Sequence, residues 1–537
     1  MRLYYLKNGH KYCTKHSNED VEIILGVVNN RTTTRIKALT DITLVKAVDI
    51  IPFNVNFRDL YFLNGYQSWT DTKEFKLAKR LRNIKKSPHI ITHMFAMDKY
   101  GDSNFYRYSI RRMHGYDVFY SRGEHELFIC SYNSDIAYLI IELVKGRRFV
   151  RLISDVKNIR VKKGEQVTVF DYALDFELKE GMGTFLKDFP KKKLEKIFGY
   201  TSWYNYYQNI NEEIILRDLS ALDSRFNLFQ IDDGYETFVG DWLDIDPKKF
   251  PNGLKPIVDK IHAKGLKAGI WLAPLVAEKK SKLFHDHPEF FKKDKHGKPM
   301  KAGGNWSGQY ALDLDNFHVR TYIQKCLNYY MDLGFDFFKL DFLYAAGIGE
   351  YEGRSRAQVQ SEAYKFLRET LKDKLILGCG AHVLNSKDVF DYLRIGPDVS
   401  LIFDDAAFMR MFHRERISTK VTLQNTIYRS FMNERFFGND PDVFLLRDDN
   451  ISLSKEQKRA LITINALFGS VLMTSDNIAT YNKEKKALLN KSLELFNEGH
   501  VDEYVTKRHL IKVKYHLNGE EHGFTYNINK GELSNER

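Results

Sequence analysis

Two aspartates close short apolar runs in this chain: Phe338-Lys339-Leu340-Asp341-Phe342-Leu343 and Arg394-Ile395-Gly396-Pro397-Asp398. Two carboxyl groups facing one another can cleave a glycosidic bond with retention. One is ionised and attacks the anomeric carbon; the other is protonated and releases the leaving oxygen, with the two about 5 to 5.5 Å apart. Asp341 and Asp398 are the pair the sequence offers. Lys339 lies on the same face of an extended segment as Asp341, so its ammonium would favour the ionised form a nucleophile requires. Arg394 precedes Asp398 by one short turn and suits either a substrate hydroxyl or a carboxylate. Other apolar runs end in Ser202-Trp203-Tyr204, Asp232-Asp233-Gly234, Trp271 and Cys379, a set rich in groups that bind sugars.

Each of these residues also has a plainer reading. A strand-end Asp often caps a helix or bonds a loop, Trp203 and Trp271 suit packing, and Lys339 can snorkel. Cys379 beside two glycines suits a small buried hydrophobe, and Asp440 and Asp442 around Pro441 suit a turn. His285 and His287 beside Pro288 make a poor metal site. What sets the group apart is that its members fall at the ends of successive strands.

Eight apolar runs, at 196–203, 228–234, 267–274, 335–342, 375–380, 391–398, 431–442 and 470–476, alternate with helix-period segments. That pattern predicts a (β/α)8 TIM barrel as catalytic domain, with its chemistry at the strand carboxyl ends; a doubly wound open sheet is the structural alternative. A helix is expected over 357–373, and another is opened by the Ser454-x-x-Gln457 capping box. The fifth and sixth runs are too close for a full crossover helix. Residues 1–178 read as short strands separated by turns, an N-terminal antiparallel β-sandwich domain, with hairpins expected at Gly164 and at Gly123. A helical linker follows at 179–196, then the barrel at 197–479. The last section, 480–537, reads as a small C-terminal β-domain, its strands turned at Asn518-Gly519.

Hydrophobic residues at 43% and charged residues at 28% exclude a disordered or collagen-like chain. The net charge of +12 makes an anionic partner worth testing, yet the basic runs at 76–86, 191–193 and 279–298 are interrupted by acidic or apolar residues. No nucleic-acid motif surrounds them, so they read as solvated faces. Four scattered cysteines fit a reducing compartment rather than a disulfide framework. No signal peptide or membrane span is legible, and the expected location is the cytoplasm.

The strings Gly199-Tyr200-Thr201-Ser202-Trp203-Tyr204, Phe229-Gln230-Ile231-Asp232-Asp233-Gly234-Tyr235 with Gly240-Asp241-Trp242, Ala268-Gly269-Ile270-Trp271-Leu272-Ala273-Pro274, Leu377-Gly378-Cys379-Gly380 and the two catalytic runs together closely resemble the α-galactosidases of glycoside hydrolase family 36. Asn64-Gly65-Tyr66-Gln67-Ser68-Trp69-Thr70 is similar to the family's loop that carries an N-terminal tryptophan into the site.

The resemblance implies a retaining exo-enzyme acting on terminal α-galactose, in substrates of the melibiose or raffinose type. It makes Asp341 the nucleophile and Asp398 the acid/base, and needs no metal or organic cofactor. It assigns Asp232 and Asp233 to the 4- and 6-hydroxyls, and Lys339, Arg394 and Cys379 to the 2- and 3-hydroxyls and the nucleophile. Trp69, Trp203 and Trp271 become apolar walls. Neither a nucleic acid nor a membrane is implied as partner, and a homo-oligomer is possible in such a family. Tyr66, Thr201 and Ala381-His382 depart from the common pattern, the last beside the 2-position. This keeps an α-N-acetylgalactosaminidase or a galactosyl-transferring relative as alternatives. A non-catalytic carbohydrate- or polyanion-binding protein is the alternative from another class.

Overall fold

The computed structural model describes residues 1–84, 92 and 96–535, which leaves the basic pair at 85–86 outside it. The first part of the chain forms two antiparallel seven-stranded sheets. Alternating runs such as Ile42–Pro52, in the first sheet, and Gln166–Asp175, in the second, put one side of each strand inward. Leu3, Leu44 and Leu152 of the first sheet share one apolar core with Ile36, Ile129 and Phe170 of the second. Each such fully buried side chain contributes about 1.5–3 kcal/mol.

The expected hairpin around Gly123 is present, with Val118–Arg122 paired to Leu127–Ser131. The hairpin expected at Gly164 is not. Arg160–Val161 pairs in the first sheet and Gln166–Asp175 in the second, so Gly164, at φ 89°, carries the chain between sheets. Val161 and Val169 thereby reach the shared core from opposite sides. The helix of the linker also begins earlier than expected and stops sooner, spanning Leu178–Lys187. Pro190 follows closely, and the residue before a proline is biased away from helix.

The eight parallel runs are all realised as strands: β1 (Ile197–Thr201), β2 (Leu228–Ile231), β3 (Lys267–Leu272), β4 (Phe337–Leu340), β5 (Leu375–Gly378), β6 (Tyr392–Arg394), β7 (Gly438–Asp440) and β8 (Val471–Thr474). β7 pairs with β6, and its continuation Val443–Phe444 pairs with β8. The path of pairings therefore begins and ends on one segment, and the sheet curls round as a barrel-like parallel ring. Pro441, which has no N–H to give a ladder, breaks that segment.

The seventh run is shorter than expected because Ser430–Met432 is a 3-10 turn. The connection from β5 to β6 holds only the 3-10 turn Leu384–Ser386. Helices Arg356–Leu371 and Lys455–Phe468 open on complete capping boxes, Ser355 with Gln358 and Ser454 with Gln457. None of the described helices is long and apolar enough to cross a membrane. Helix Lys483–Glu498 packs on Lys455–Phe468, and a four-stranded antiparallel sheet ends the chain. Asn518 (φ 53°) and Gly519 (φ 84°) make the two-residue turn expected there.

The loop at 64–72 of the first part lies on the carboxyl ends of the ring. Arg429, fully buried, donates to Asn64 Oδ1 (3.0 Å), Ser68 O (2.6 Å), Gln67 O (3.3 Å) and Ile395 O (2.7 Å). Asn425 adds a reciprocal pair, accepting from Thr72 N (2.9 Å) and donating to Thr70 O (3.1 Å). Burial lowers the Arg429 guanidinium to about 9, the cost of seating a cation among neutral oxygens. Replacing it strands those acceptors. Arg429→Ala should lower stability by about 3 kcal/mol in urea unfolding; an unchanged midpoint would show that this cation does not tie the loop down.

Candidate active site

Asp341 directly follows β4 and is held from three sides. Its N–H donates to Leu272 O (2.8 Å), its Oδ2 accepts from Trp271 Nε1 (3.0 Å), and its Oδ1 accepts from Phe342 N (2.8 Å). Phe342 has a φ of 55°, a conformation costly for a bulky residue, and is braced by the rings of Trp69 (5.5 Å) and Trp306 (5.3 Å). Trp271 is thus more than a wall: it orients the carboxylate.

Lys339 differs from the sequence expectation. Its hydrogen-bonded partner is Asp232 on the far side of β3, with Nζ to Oδ2 at 2.8 Å, and not Asp341. Alternation along β4 does aim both residues at the strand ends, but a long side chain reaches across to the carboxylate of β2. Burial works against the ammonium, and Asp232 more than compensates, holding Lys339 above its ordinary value. Asp341 adds to that attraction from further away.

Arg394, at the end of β6, gathers three carboxylates: Asp398 through Nη1 (2.9 Å), Asp440 through Nε (2.8 Å) and Asp442 through Nη2 (2.8 Å). The two aspartates flanking Pro441 are therefore buried members of the site and not merely turn formers. Asp442 also accepts from Tyr204 Oη and from Val399 N (2.7 Å). Burial and the neighbouring carboxylates raise it to about 7, against the pull of Arg394. The Asp398 side chain remains about 35% exposed, at the open end of this cluster. Desolvation raises its carboxyl above the ordinary range; Arg394 and Lys339 oppose this, and Asp341 and Asp232 reinforce it. Asp341 and Asp398 thus lie within one another's fields.

Asp232 and Asp233 end β2, and each is about 2% exposed. Asp232 Oδ2 accepts from Lys339, from Gln230 Nε2 (2.7 Å) and from Thr201 Oγ1 (3.2 Å), so Thr201 serves the adjacent carboxylate directly. Asp233 accepts from Gln208 Nε2 (3.0 Å) and Trp306 Nε1 (2.9 Å). Burial, and then Asp233 itself, push Glu236 well above its usual value, which favours a proton on Glu236 where it faces Asp233.

Trp69 reaches Cys379 at the end of β5, Nε1 to Sγ 3.3 Å, and packs edge-on against Tyr344 (5.7 Å). Burial and Asp341 raise the Cys379 thiol, which stays protonated. Trp203 is more peripheral. It stacks edge-on with Tyr207 (5.1 Å), whose hydroxyl is raised by burial, with Arg447 opposing and Asp398 adding to it. His382 and Tyr66 belong to the contact with the first part of the chain. His382 stacks on Tyr138 (3.7 Å) with its Nε2 3.3 Å from Asp117, and Tyr66 packs against both rings.

Sequence reasoning missed Trp306, Glu236 and Gln208 as site residues, and gave Tyr204 no role of its own within the strand-end motif that contains it. Glu236 lay beside a recognised motif; Trp306 and Gln208 are on loops whose neighbours carry no pattern. The raised Glu236 carboxyl has a consequence for stability. A folded-state value above the unfolded one stabilises at low pH, and that contribution is lost as pH rises past the unfolded value of about 4.3. Glu236→Gln keeps the donor without the titration, so its stability relative to the parent protein should improve from pH 5 to pH 8. Glu236→Ala should instead cost about 2 kcal/mol at pH 5. A Gln variant whose offset from the parent stays constant across this range would refute the raised carboxyl.

Comparison with known proteins gives the same picture. Residues 192–369 match the Melibiase family. The alpha-galactosidase of Escherichia coli is 28% identical over 203 residues, 35% of this chain; the match spans only 28% of that protein's length. The structure of TtGalA, an alpha-galactosidase from Thermus thermophilus in complex with p-nitrophenyl alpha-D-galactopyranoside, superposes with a TM-score of 0.72 at 25% identity, over 97% of this chain and 98% of that one. The GH36 alpha-galactosidase AgaA of Geobacillus stearothermophilus shares the fold at 11% identity, with a TM-score of 0.60, over 93% of this chain and 73% of that one. The chain thus carries a Melibiase-family segment at residues 192–369 and, over nearly its whole length, is similar in structure to an alpha-galactosidase.

Proposed function

We propose that this chain is a retaining exo-α-galactosidase that removes terminal α-linked galactose through a covalent galactosyl-enzyme intermediate. The observation that carries this reading is the pairing of two carboxyls with different environments. Asp341 is fixed by Trp271 and the Phe342 N–H, while Asp398 is raised by burial and by Asp341 itself. In this reading Asp341 attacks the anomeric carbon and Asp398 protonates the departing oxygen. Once Asp341 is esterified its charge is gone, and with it one of the influences that keep Asp398 protonated. Asp398 then becomes the better base, and takes a proton from the water that releases galactose.

Asp232 and Asp233 are the acceptors we assign to the sugar's 4- and 6-hydroxyls. A buried acceptor left empty by the wrong epimer is a strong penalty, which favours galactose over glucose. Trp69, Trp306 and Tyr344 are the apolar rims. We divide the chain at 1–178, 179–196, 197–479 and 480–537: a sandwich domain, a linker, the catalytic (β/α)8 barrel and a C-terminal β-domain. The sandwich is the supplier of Trp69. The substrates we expect are α-galactosides of the melibiose or raffinose type, handled in the cytoplasm.

An aryl α-galactoside assay tests the assignment. Asp341→Asn should lose more than about a thousandfold in kcat, whereas Asp398→Ala should retain attack on good leaving groups and be partly rescued by azide. Full activity in Asp341→Asn would remove the nucleophile. No hydrolysis of any α-galactoside by the intact protein would favour a binding protein instead, and faster turnover of N-acetyl-α-galactosaminide would reassign the sugar.

A further inference from the structure

The basic run at 76–82 takes no part in the strand-end site, and its described residues have a different setting. They line a cavity of about 580 Å3 where the strand Lys73–Lys76, the segment around Arg414 and Arg416, and the C-terminal turn at Arg508 come together. Nine Lys and Arg side chains face it against three carboxylates, those of Asp71, Glu74 and Asp404. None of the residues assigned to catalysis or sugar binding lines it.

Its deepest cations keep some donors unmet, although Arg414 gives Nη2 to Asp71 O (3.2 Å) and is held above its ordinary value, against burial, by Tyr108, Asp102 and Glu415. Arg414 and Arg416 are only 4% and 5% exposed. Arg416 gives Nη2 to Asp404 (2.9 Å), but its Nε and Nη1 have no hydrogen-bond partner among the described residues. The same is true of Arg414 Nε and Arg82 Nη1. A buried donor left unpaired costs about 1–3 kcal/mol, more when charged, and native structures leave few of them. Here all four belong to residues that line one cavity. The stretch 85–95 contains no Asp or Glu, so it holds no carboxylate to answer them. Burial, with Arg416 adding to it, lowers Arg82, and burial likewise lowers Lys420, which marks a crowd of positive charge awaiting a counter-ion.

We propose that this cavity binds a phosphorylated small molecule, its phosphate oxygens accepting from Arg82, Arg414 and Arg416 with Lys420 completing the charge balance. A phosphate monoester fits better than a carboxylate because it carries nearly two charges and three acceptor oxygens, and guanidinium forks match it in pairs. The volume is that of a small-molecule site, roughly 300–1,000 Å3. Donors set this deep do not present the open face a nucleic acid requires. The assignment is independent of the α-galactosidase reading, since neither the residues nor the test involves glycoside hydrolysis.

Calorimetric titration of the full chain with glucose 6-phosphate and inorganic pyrophosphate tests it, with sodium sulfate and sodium chloride at matched ionic strength as controls. The expected result is saturable one-site binding at least tenfold tighter than sulfate. It should weaken at least tenfold in Arg416→Gln and at least fivefold in Lys420→Gln. Because Arg416→Gln also frees Asp404 and can unfold the segment, Lys420→Gln, whose circular dichroism should match the parent, decides the question if the first variant is not folded. Binding no tighter than sulfate, or unaltered in folded Lys420→Gln, would overturn the site. So would tight, salt-sensitive binding of single-stranded RNA that neither phosphate probe competes away.

Discussion

One guanidinium, Arg394, meets three carboxylates where β6 and β7 run side by side, and the chemistry of the site follows from that imbalance. Three negative charges against one positive charge, in a buried setting, cannot all persist. Asp442 rises to about 7, and Asp398, the most exposed of the three, is raised by its own burial and by more distant carboxylates. Removing one partner from such a buried cluster typically costs about 3–5 kcal/mol, so the arrangement is held by mutual need. Asp398 lies at the mouth of this cluster, while Tyr204 and the Val399 N–H hold Asp442.

The second dependency is between the parts of the chain. The loop bearing Trp69 belongs to the first part, yet its backbone carbonyls are held by Arg429 and Asn425 of the ring. Gly380 returns the contact by donating its N–H to Ser68 Oγ (3.0 Å), and Ser68 N donates to Ala381 O (2.9 Å). His382, stacked on Tyr138, extends the same seam. The residues after Cys379 thus take part in docking the first part of the chain.

Much of this was legible in the sequence wherever the cause is local. Alternation and apolar runs located all eight ring strands, Ser454 with Gln457 marked a helix start, and Asn518-Gly519 marked a turn, because each is decided by neighbours along the chain. Gly164 was misjudged for the complementary reason: a glycine with positive φ signals a turn but not which sheets its flanks will join. Lys339 was placed on the right face but given the wrong partner, since its reach across β3 to Asp232 is a matter of packing. Arg429, Trp306 and Glu236 left no periodic trace. Their partners lie 361, 73 and 3 residues away respectively, as with Ser68, and with Asp233 for the last two.

The central claim is that Asp398 holds its proton under the influence of the charge on Asp341. Titrating the Asp398 carboxyl by carbon-13 NMR, before and after Asp341 is trapped as a fluorogalactosyl ester, reads this directly. We expect a value above the ordinary aspartate figure of about 3.9 in the free protein, and a clear fall once Asp341 is esterified. A value at the ordinary figure, or one indifferent to the state of Asp341, would contradict the account.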